Sequence, residues 1–286
     1  MSEKLYRLCH ALSEREADRR LAEAIQEGLP LMVSRLGTVE MAAVTSWQAN
    51  GYSGMDPDLK AMLQANAGVF PIDADNVAAF CSISLDAMQS IDLLGIRNGD
   101  EDIKMARHFG LKAKAVSLVY LSPIESVVRY SRHLEGRKVL VIHPFAESIG
   151  KQFARRELLF SDPSILPDFQ LDILPAVQSL GAASMVCGHA NWVTALRHMT
   201  REMESRDFDI ALIGAGAYGM PLAARAKAMG KVAIHVGGAL QLLFGIRGKR
   251  WENYDLVARW VNESWVWPVQ SERPIGAEKV EKGCYW

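Results

Sequence analysis

Apolar residues follow two rhythms along this chain. Short continuous runs rich in Val, Ile and Leu read as strands buried on both faces: "LMVS" (31–34), "AVSLVYL" (Ala115 to Leu121), "KVLVIHPF" (Lys138 to Phe145), "FQLDILPAV" (Phe169 to Val177), "FDIALIG" and "KVAIHVGG". Between them, apolar positions return every three or four residues, the rhythm of amphipathic helices. Leu5, Leu8, Leu12, Leu21 and Ile25 keep that spacing near the N-terminus, and Gly28 followed by Pro30 stops it. A second helix is expected after Thr38, with Thr38 as its N-cap and Met41, Val44 and Trp47 on one face. One short helix is expected between Asn50 and Pro71, and "NVAAFCSISLDAMQSIDLLGI" reads as a helix running into a strand near Leu93 to Ile96. Further helices are predicted over Glu147 to Leu158 and Asn191 to Ser205, and over "MPLAARAKAMG". Strands alternating with helices predict an α/β fold: a Rossmann-like, doubly wound, mostly parallel sheet flanked by helices. With no internal repeat or clear linker, residues 1–286 read as a single domain. Residues 1–28 form an N-terminal helical appendage, and the tail 252–286 packs onto the domain.

Composition narrows the function classes. Of 286 residues, 49% are hydrophobic and 23% charged, ample for a core, and the formal net charge of -1 gives no general attraction to nucleic acid or an anionic membrane. The charged opening "MSEKLYRLCHALSEREADRR" lacks the apolar core of a signal peptide. No uninterrupted apolar run reaches the roughly 18 residues of a membrane span, "VAIHVGGALQLLFGI" being shorter and broken by His235, three glycines and Gln241, so a cytoplasmic protein is expected. Cys9, Cys81, Cys187 and Cys284 are scattered without zinc spacing and read as reduced structural thiols.

In a doubly wound sheet, ligands bind beyond the carboxyl ends of the strands. Here those ends carry "RLGTVE", "HPFAES", "GAGAYG" and "HVGGALQ". "GAGAYG" (Gly214, Gly216 and Gly219, with Tyr218 between) matches G-x-G-x-x-G, a loop whose backbone N–H groups and following helix dipole cradle a diphosphate. The same glycines also serve tight strand–helix packing. A dinucleotide fold would place an acid about 20 residues on to hold the ribose. This chain has His235 there, so NAD is not expected. In "RLGTVE", Arg35 suits bidentate phosphate recognition and Gly37 makes the turn. Glu40 reads either as a general base or as a complement to the helix dipole. His143 and His235 are strand-end histidines, each readable as ligand-facing or as a satisfied core residue. Ser148 is a candidate hydroxyl donor at a helix start, and Gly237, Gly238 and Gln241 extend the candidate nucleotide-binding set. "GIRGKRW" adds Arg247, Lys249 and Arg250 beside Trp251, able to clamp a diphosphate or merely to face solvent. D-x-D occurs at Asp56/Asp58, Asp73/Asp75, Asp100/Asp102 and Asp207/Asp209, a frequency that reads as chance, and none follows an apolar strand.

"SRLGTVE", "NAGVFP", "KVLVIHPFAESIGKQ", the long block from "FDIALIGAGAYG" to "FGIRGKRW" and the terminal "EKGCYW" together resemble bacterial glycosyltransferases of the GT-D fold. The resemblance runs in order from about Leu31 to Trp286, and R-x-G-x-x-E (Arg35, Gly37, Glu40) is its most widely shared element. It implies transfer of a sugar from a nucleotide-sugar donor, expected to be a UDP-sugar, to a glycan or glycoprotein hydroxyl in surface-polysaccharide biosynthesis. Glu40 is then the first candidate for the general base, with His235 and His143 behind it. The acidic D-x-E metal motif of the characterised branch has no counterpart in "ALQLLFG". Either Mn²⁺ or Mg²⁺ is held elsewhere, or Arg35, Lys249 and Arg250 meet the diphosphate charge. A non-catalytic nucleotide-sugar-binding protein is the alternative, and an NAD(P)-dependent oxidoreductase the third reading.

Overall fold

A computed structural model of the chain describes residues 11–97, 100–280 and 282–286. Seven strands form one sheet: β1 (Leu31–Arg35), β2 (Leu93–Ile96), β3 (Lys114–Ser117), β4 (Lys138–His143), β5 (Gln170–Pro175), β6 (Ile210–Ile213) and β7 (Val232–His235). Every pairing is parallel, and the spatial order is β3-β2-β1-β7-β6-β4-β5. The expectation of a mostly parallel, doubly wound sheet is met, with no antiparallel edge.

The continuous apolar runs have a direct cause. Successive strand residues point to opposite faces, and both faces are covered. Met32, Leu140, Ile142, Ala211, Ile213 and Ala233 enter one core. Their neighbours Val33, Val139, Val141, Ile210, Leu212, Val232 and Ile234 enter the other. The first face is covered by α2 (Thr38–Asn50), α3 (Pro57–Ala67), α4 (Ala74–Met88), α7 (Trp192–Glu204) and α8 (Gly219–Ala228). The second face takes α1 (Glu14–Glu27), α6 (Ala146–Phe153), α9 (Leu240–Leu243), α10 (Asp255–Ala258) and much of the C-terminal segment. One further helix, α5 (Glu101–His108), follows β2.

Local chemistry shifts several expected boundaries. The N-terminal helix starts at a capping box, where Ser13 and Glu16 satisfy each other's backbone N–H groups, and ends at Gly28 in the left-handed region. Leu12 lies outside it, donating its N–H to the Ala115 carbonyl along β3. Leu5 and Leu8 fall outside the described residues. α1 buries Ala17, Leu21, Ala24 and Ile25 in the second core. Gly37, not Thr38, is the N-cap of α2. The run "AVSLVYL" leaves the sheet at Ser117, whose hydroxyl accepts the Val119 N–H and starts a 3-10 turn over Leu118–Leu121. β4 stops at His143 because Pro144 has no N–H to donate. The helix expected through Leu158 ends at Phe153, and Arg156–Leu158 forms a separate 3-10 turn.

The strand order sets the site. From β1 the chain moves outward to β2 and β3, then crosses to the far side for β4 and β5, and β6 and β7 fill the centre last. The carboxyl ends of β1, β7, β6 and β4 therefore face the crevice where connections depart in opposite directions.

Candidate active site

Arg35, His235, Gly214 and His143, each at or one residue past the end of a central strand, line one cleft of about 310 Å³. That volume suits a small ligand. The connection after β1 adds Gly37, Thr38 and Glu40, and the loop after β6 adds Ala215, Gly216 and Tyr218. Gly237, Gly238 and Gln241 come from the loop after β7, and Arg250, Tyr285 and Trp286 from the C-terminal part of the chain.

Glycines allow this convergence. A Cβ at Gly214 would stand 2.6 Å from His143 Cδ2 and 2.8 Å from the Gly237 carbonyl oxygen, so β4, β6 and the loop after β7 meet there with no room for a side chain. Gly216 (φ 52°) and Gly237 (φ 78°) hold left-handed backbone. At Gly237 a Cβ would meet Arg35 Nη1 at 3.0 Å, so this glycine lets the guanidinium lie across the loop. Glu40 folds back over Gly37, its carboxylate standing where a Gly37 side chain would be. Gly219 is different. It is not a cleft residue, and a Cβ there would run into the His235 imidazole. The third glycine of G-x-G-x-x-G thus serves the packing of α8 on β7.

The two histidines are neutral. Burial pushes His143 down to about 3, and burial with the nearby Arg35 charge does the same to His235. His143 Nδ1 accepts the Phe145 N–H at 3.0 Å, which leaves the proton on Nε2. His143 is therefore a hydrogen-bond donor in the neutral state, not a base. His235 Nδ1 lies 3.0 Å from the Ser34 hydroxyl, and its ring packs on Gly219. As candidate bases, both histidines rank well below Glu40 on these grounds. Glu40 is half-buried and is the one carboxylate among the described cleft residues.

Positive charge faces it. Among the described residues no carboxylate pairs with Arg35, whose Nη2 donates only to the Leu36 carbonyl, at 3.2 Å. Arg250 lies over the Tyr285 ring, 4.9 Å from its centroid, and donates to the Tyr285 hydroxyl at 3.2 Å. Gln241 is fully buried, its amide nitrogen donating to the carbonyls of Arg247 and Tyr285, so it braces the cleft wall. The Tyr218 hydroxyl and Ser179 Oγ are 2.6 Å apart, Ser179 donates to the Gly68 carbonyl, and the Tyr218 ring stacks on Trp192.

Besides Gly219, further expected site residues lie elsewhere. Lys249 is exposed near Gly283, outside the cleft lining. Ser148 does not reach the cleft: the N-terminus of α6 is already occupied by the chain's own Glu272. Its carboxylate accepts the Glu147 N–H (2.7 Å), the Ser148 N–H (3.1 Å) and the Ser148 hydroxyl. The free N–H groups and dipole of a helix start favour an anionic partner, and Glu272 supplies it. Arg247 also turns away, stacking on Trp267.

The sequence reading missed Arg97, Asn66, Gln178, Ser179 and Tyr285, all of which line the cleft. Arg97 is held by Asp102 at 2.6 Å and donates to the Thr38 hydroxyl. An acid five residues after a strand-end arginine was the available signal. Asn66 stands in the last turn of α3, and Gln178, Ser179 and Tyr285 sit in irregular segments, none with a motif to mark it.

The D-x-D pairs do structural work. Asp56 and Asp73 cap α3 and α4, Asp102 holds Arg97, and Asp207 and Asp209 bind the Lys138 ammonium and N–H. Among the described residues no three His, Cys, Asp or Glu side chains gather as a metal cage. The cleft does not fit an all-protein site for Mn²⁺ or Mg²⁺. Among the described residues no helix is long and apolar enough to cross a membrane.

No curated protein matches the chain. Two solved structures align along most of it at low similarity. One is a selenomethionine-substituted domain of unknown function 1792 (12% identity, TM-score 0.44, 83% of each chain covered). The other is described as that domain with "a distinct glycosyltransferase fold" (12% identity, TM-score 0.42, 82% of each chain). The family model for a GT-D fold-like domain matches residues 12–243, which hold every strand of the sheet and most of the cleft. The chain belongs to the GT-D-like family.

Proposed function

We propose that this protein transfers a glycosyl group from a nucleoside-diphosphate sugar, a UDP-sugar in the first instance, to a glycan or glycoprotein hydroxyl in surface-polysaccharide assembly. Membership of the GT-D-like family supports a transferase, and one observation carries the rest: Arg35 and Arg250 converge with the "GAGAYG" loop on a cleft whose one carboxylate is Glu40. In this reading the diphosphate lies on Gly214 and Gly216 near the start of α8, where the loop and the helix dipole favour an anion. Arg35 and Arg250 stabilise the charge that grows on the leaving diphosphate. The neutral His143 donates its Nε2–H within the cleft. Glu40 accepts the proton of the attacking hydroxyl as the acceptor oxygen bonds to the anomeric carbon. The anomeric carbon–oxygen bond breaks with its electron pair leaving on the nucleoside diphosphate. Because two guanidinium groups meet the diphosphate, transfer is expected to persist in chelator.

The occupant of the ribose-acid position favours this reading over an oxidoreductase, since His235 is buried against Ser34 with no carboxylate in its place. Thermal stabilisation by UDP, GDP, dTDP and NADH tests the ligand class, because a ligand of the native state raises the midpoint with the logarithm of its concentration. A shift with NADH alone overturns the proposal. Glu40→Gln tests the chemistry: UDP binding is expected to be retained and transfer lost. Near-normal transfer removes Glu40 from the role, and UDP-sugar that binds yet is never cleaved points to a binding protein.

A further inference from the structure

A second cleft, of about 340 Å³, opens on the other side of the same residues. Arg35, Arg97, Gly238 and Arg250 line both. The first cleft lies over the ends of β4, β6, β7 and β1. The second lies over β1, β2 and β3, with the 3-10 turn Leu118–Leu121 and the segment Arg250–Tyr254 as its walls.

Its chemistry differs from the first. Ile96, Leu118, Val119 and Leu121 make an apolar floor, and Ser117, Ser122, Glu125 and Tyr254 bring hydroxyls and a carboxylate to it. Glu125 accepts the Tyr254 hydroxyl at 2.9 Å on one oxygen, and its other oxygen has no partner among the described residues. The turn that carries it is braced. The Glu125 and Ser126 N–H groups donate to the Ser122 carbonyl, and Trp260 Nε1 and Arg259 Nη2 donate to the Ile124 carbonyl. The cations of this cleft are Arg35, Arg97 and Arg250, all on the shared ridge, and Asp102 neutralises Arg97. Away from the ridge the lining holds a carboxylate, hydroxyls and an apolar floor but no cation, which suits a neutral polyol with apolar ring faces on the floor and hydroxyls to Glu125 and the serines.

We propose that this second cleft is the acceptor site, holding a neutral pyranose whose reactive hydroxyl reaches across the arginine ridge to the donor in the first cleft. The assignment rests on the donor reading above. The ridge then serves both clefts, its guanidinium groups binding the diphosphate on one side and marking the point of bond exchange on the other. Glu125 orients the acceptor and takes no part in proton transfer, which falls to Glu40.

Saturation-transfer NMR on the full chain with UDP present tests the assignment. The probes are the methyl glycosides of glucose, galactose, mannose and N-acetylglucosamine. At least one glycoside is expected to give signals, and Val119→Trp, which fills the floor of the second cleft, is expected to reduce them at least tenfold while UDP signals persist. Glu125→Ala, with a smaller side chain and no bulk to misfold, is expected to weaken the same glycoside at least fivefold and leave UDP unchanged. Glycoside signals that survive both substitutions, or no glycoside signal with UDP bound, overturn the acceptor assignment. Absence of UDP signals in the unsubstituted protein removes the donor reading first, so the two failures are distinguishable.

Discussion

Gly219→Ala separates packing from ligand binding at the "GAGAYG" loop. Gly219 is in right-handed helical backbone (φ -61°, ψ -46°), so alanine meets no conformational barrier there and helix propensity alone favours it by about 0.8–1 kcal/mol. Against this stands the new Cβ, 2.5 Å from His235 Cδ2 and in overlap with Nε2. The imidazole has little room to yield, being almost wholly buried with Nδ1 on Ser34 Oγ. Overpacking of this kind costs about 1–3 kcal/mol. The clash should win, leaving a net destabilisation of up to about 2 kcal/mol. Urea unfolding of four proteins, unsubstituted, Gly219→Ala, His235→Ala and the double variant, measures it as a double-mutant cycle. Removing the ring should free space for the methyl group, so the double variant is expected to be more stable than the two single effects predict, by about 1 kcal/mol or more. A Gly219→Ala protein as stable as the original, or an additive cycle, would refute the packing role. UDP affinity in the folded variant should change little, since Gly219 is not a cleft residue.

Other outcomes follow from the same geometry. His143 and His235 stay neutral in the folded protein down to about pH 3 but titrate near 6.5 when unfolded. The unfolded state binds more protons across that window, so stability is full above about pH 6.5 and falls as pH drops towards 3, with a limiting slope of about 1.4 kcal/mol per pH unit per histidine. Urea midpoints between pH 7 and 5 check this, and His143→Asn should flatten the profile. Arg35→Ala removes a charged contact of about 1.5–3 kcal/mol and should weaken UDP binding roughly 10- to 100-fold by calorimetry with little change in unfolding midpoint. Glu272→Gln removes the negative charge from the start of α6 and should cost about 1–3 kcal/mol, read as a lower midpoint and faster proteolysis of the C-terminal segment.

The fold was readable because the central strands are short runs with both faces buried, although the edge strand β5 is largely half-buried or exposed. Boundaries failed where a side chain competes with the backbone, as at Ser117, or where one residue lacks a hydrogen, as at Pro144. The cleft was readable at Arg35, Gly37, Gly214, Gly216 and Gly237, glycines and an arginine at or just past strand ends, but not at Arg97, which follows β2 in the same way. Ser148 was misread because the partner of its helix start, Glu272, lies more than a hundred residues away and carries no local signal. His235 was read either as ligand-facing or as a satisfied core residue; it lines the cleft while its ring is held by Ser34 and Gly219, contacts that no spacing rule encodes. Tyr285 joins the cleft through tertiary packing alone.

The strand order also governs how the molecule comes into being on the ribosome. One side of the sheet (β1, β2, β3) and the other (β4, β5) are synthesised first, yet neither adjoins the other, because β6 and β7 lie between them. Until residues 210–235 emerge, β1 and β4 each present an unpaired inner edge, and the glycine loop has not left the exit tunnel. Exposed strand edges are prone to wrong pairing. The late arrival of β6 and β7 makes the closing of the sheet a late step, and the cleft is complete only when Arg250, Tyr285 and Trp286 follow, so its wall is assembled from the last part of the chain to be made.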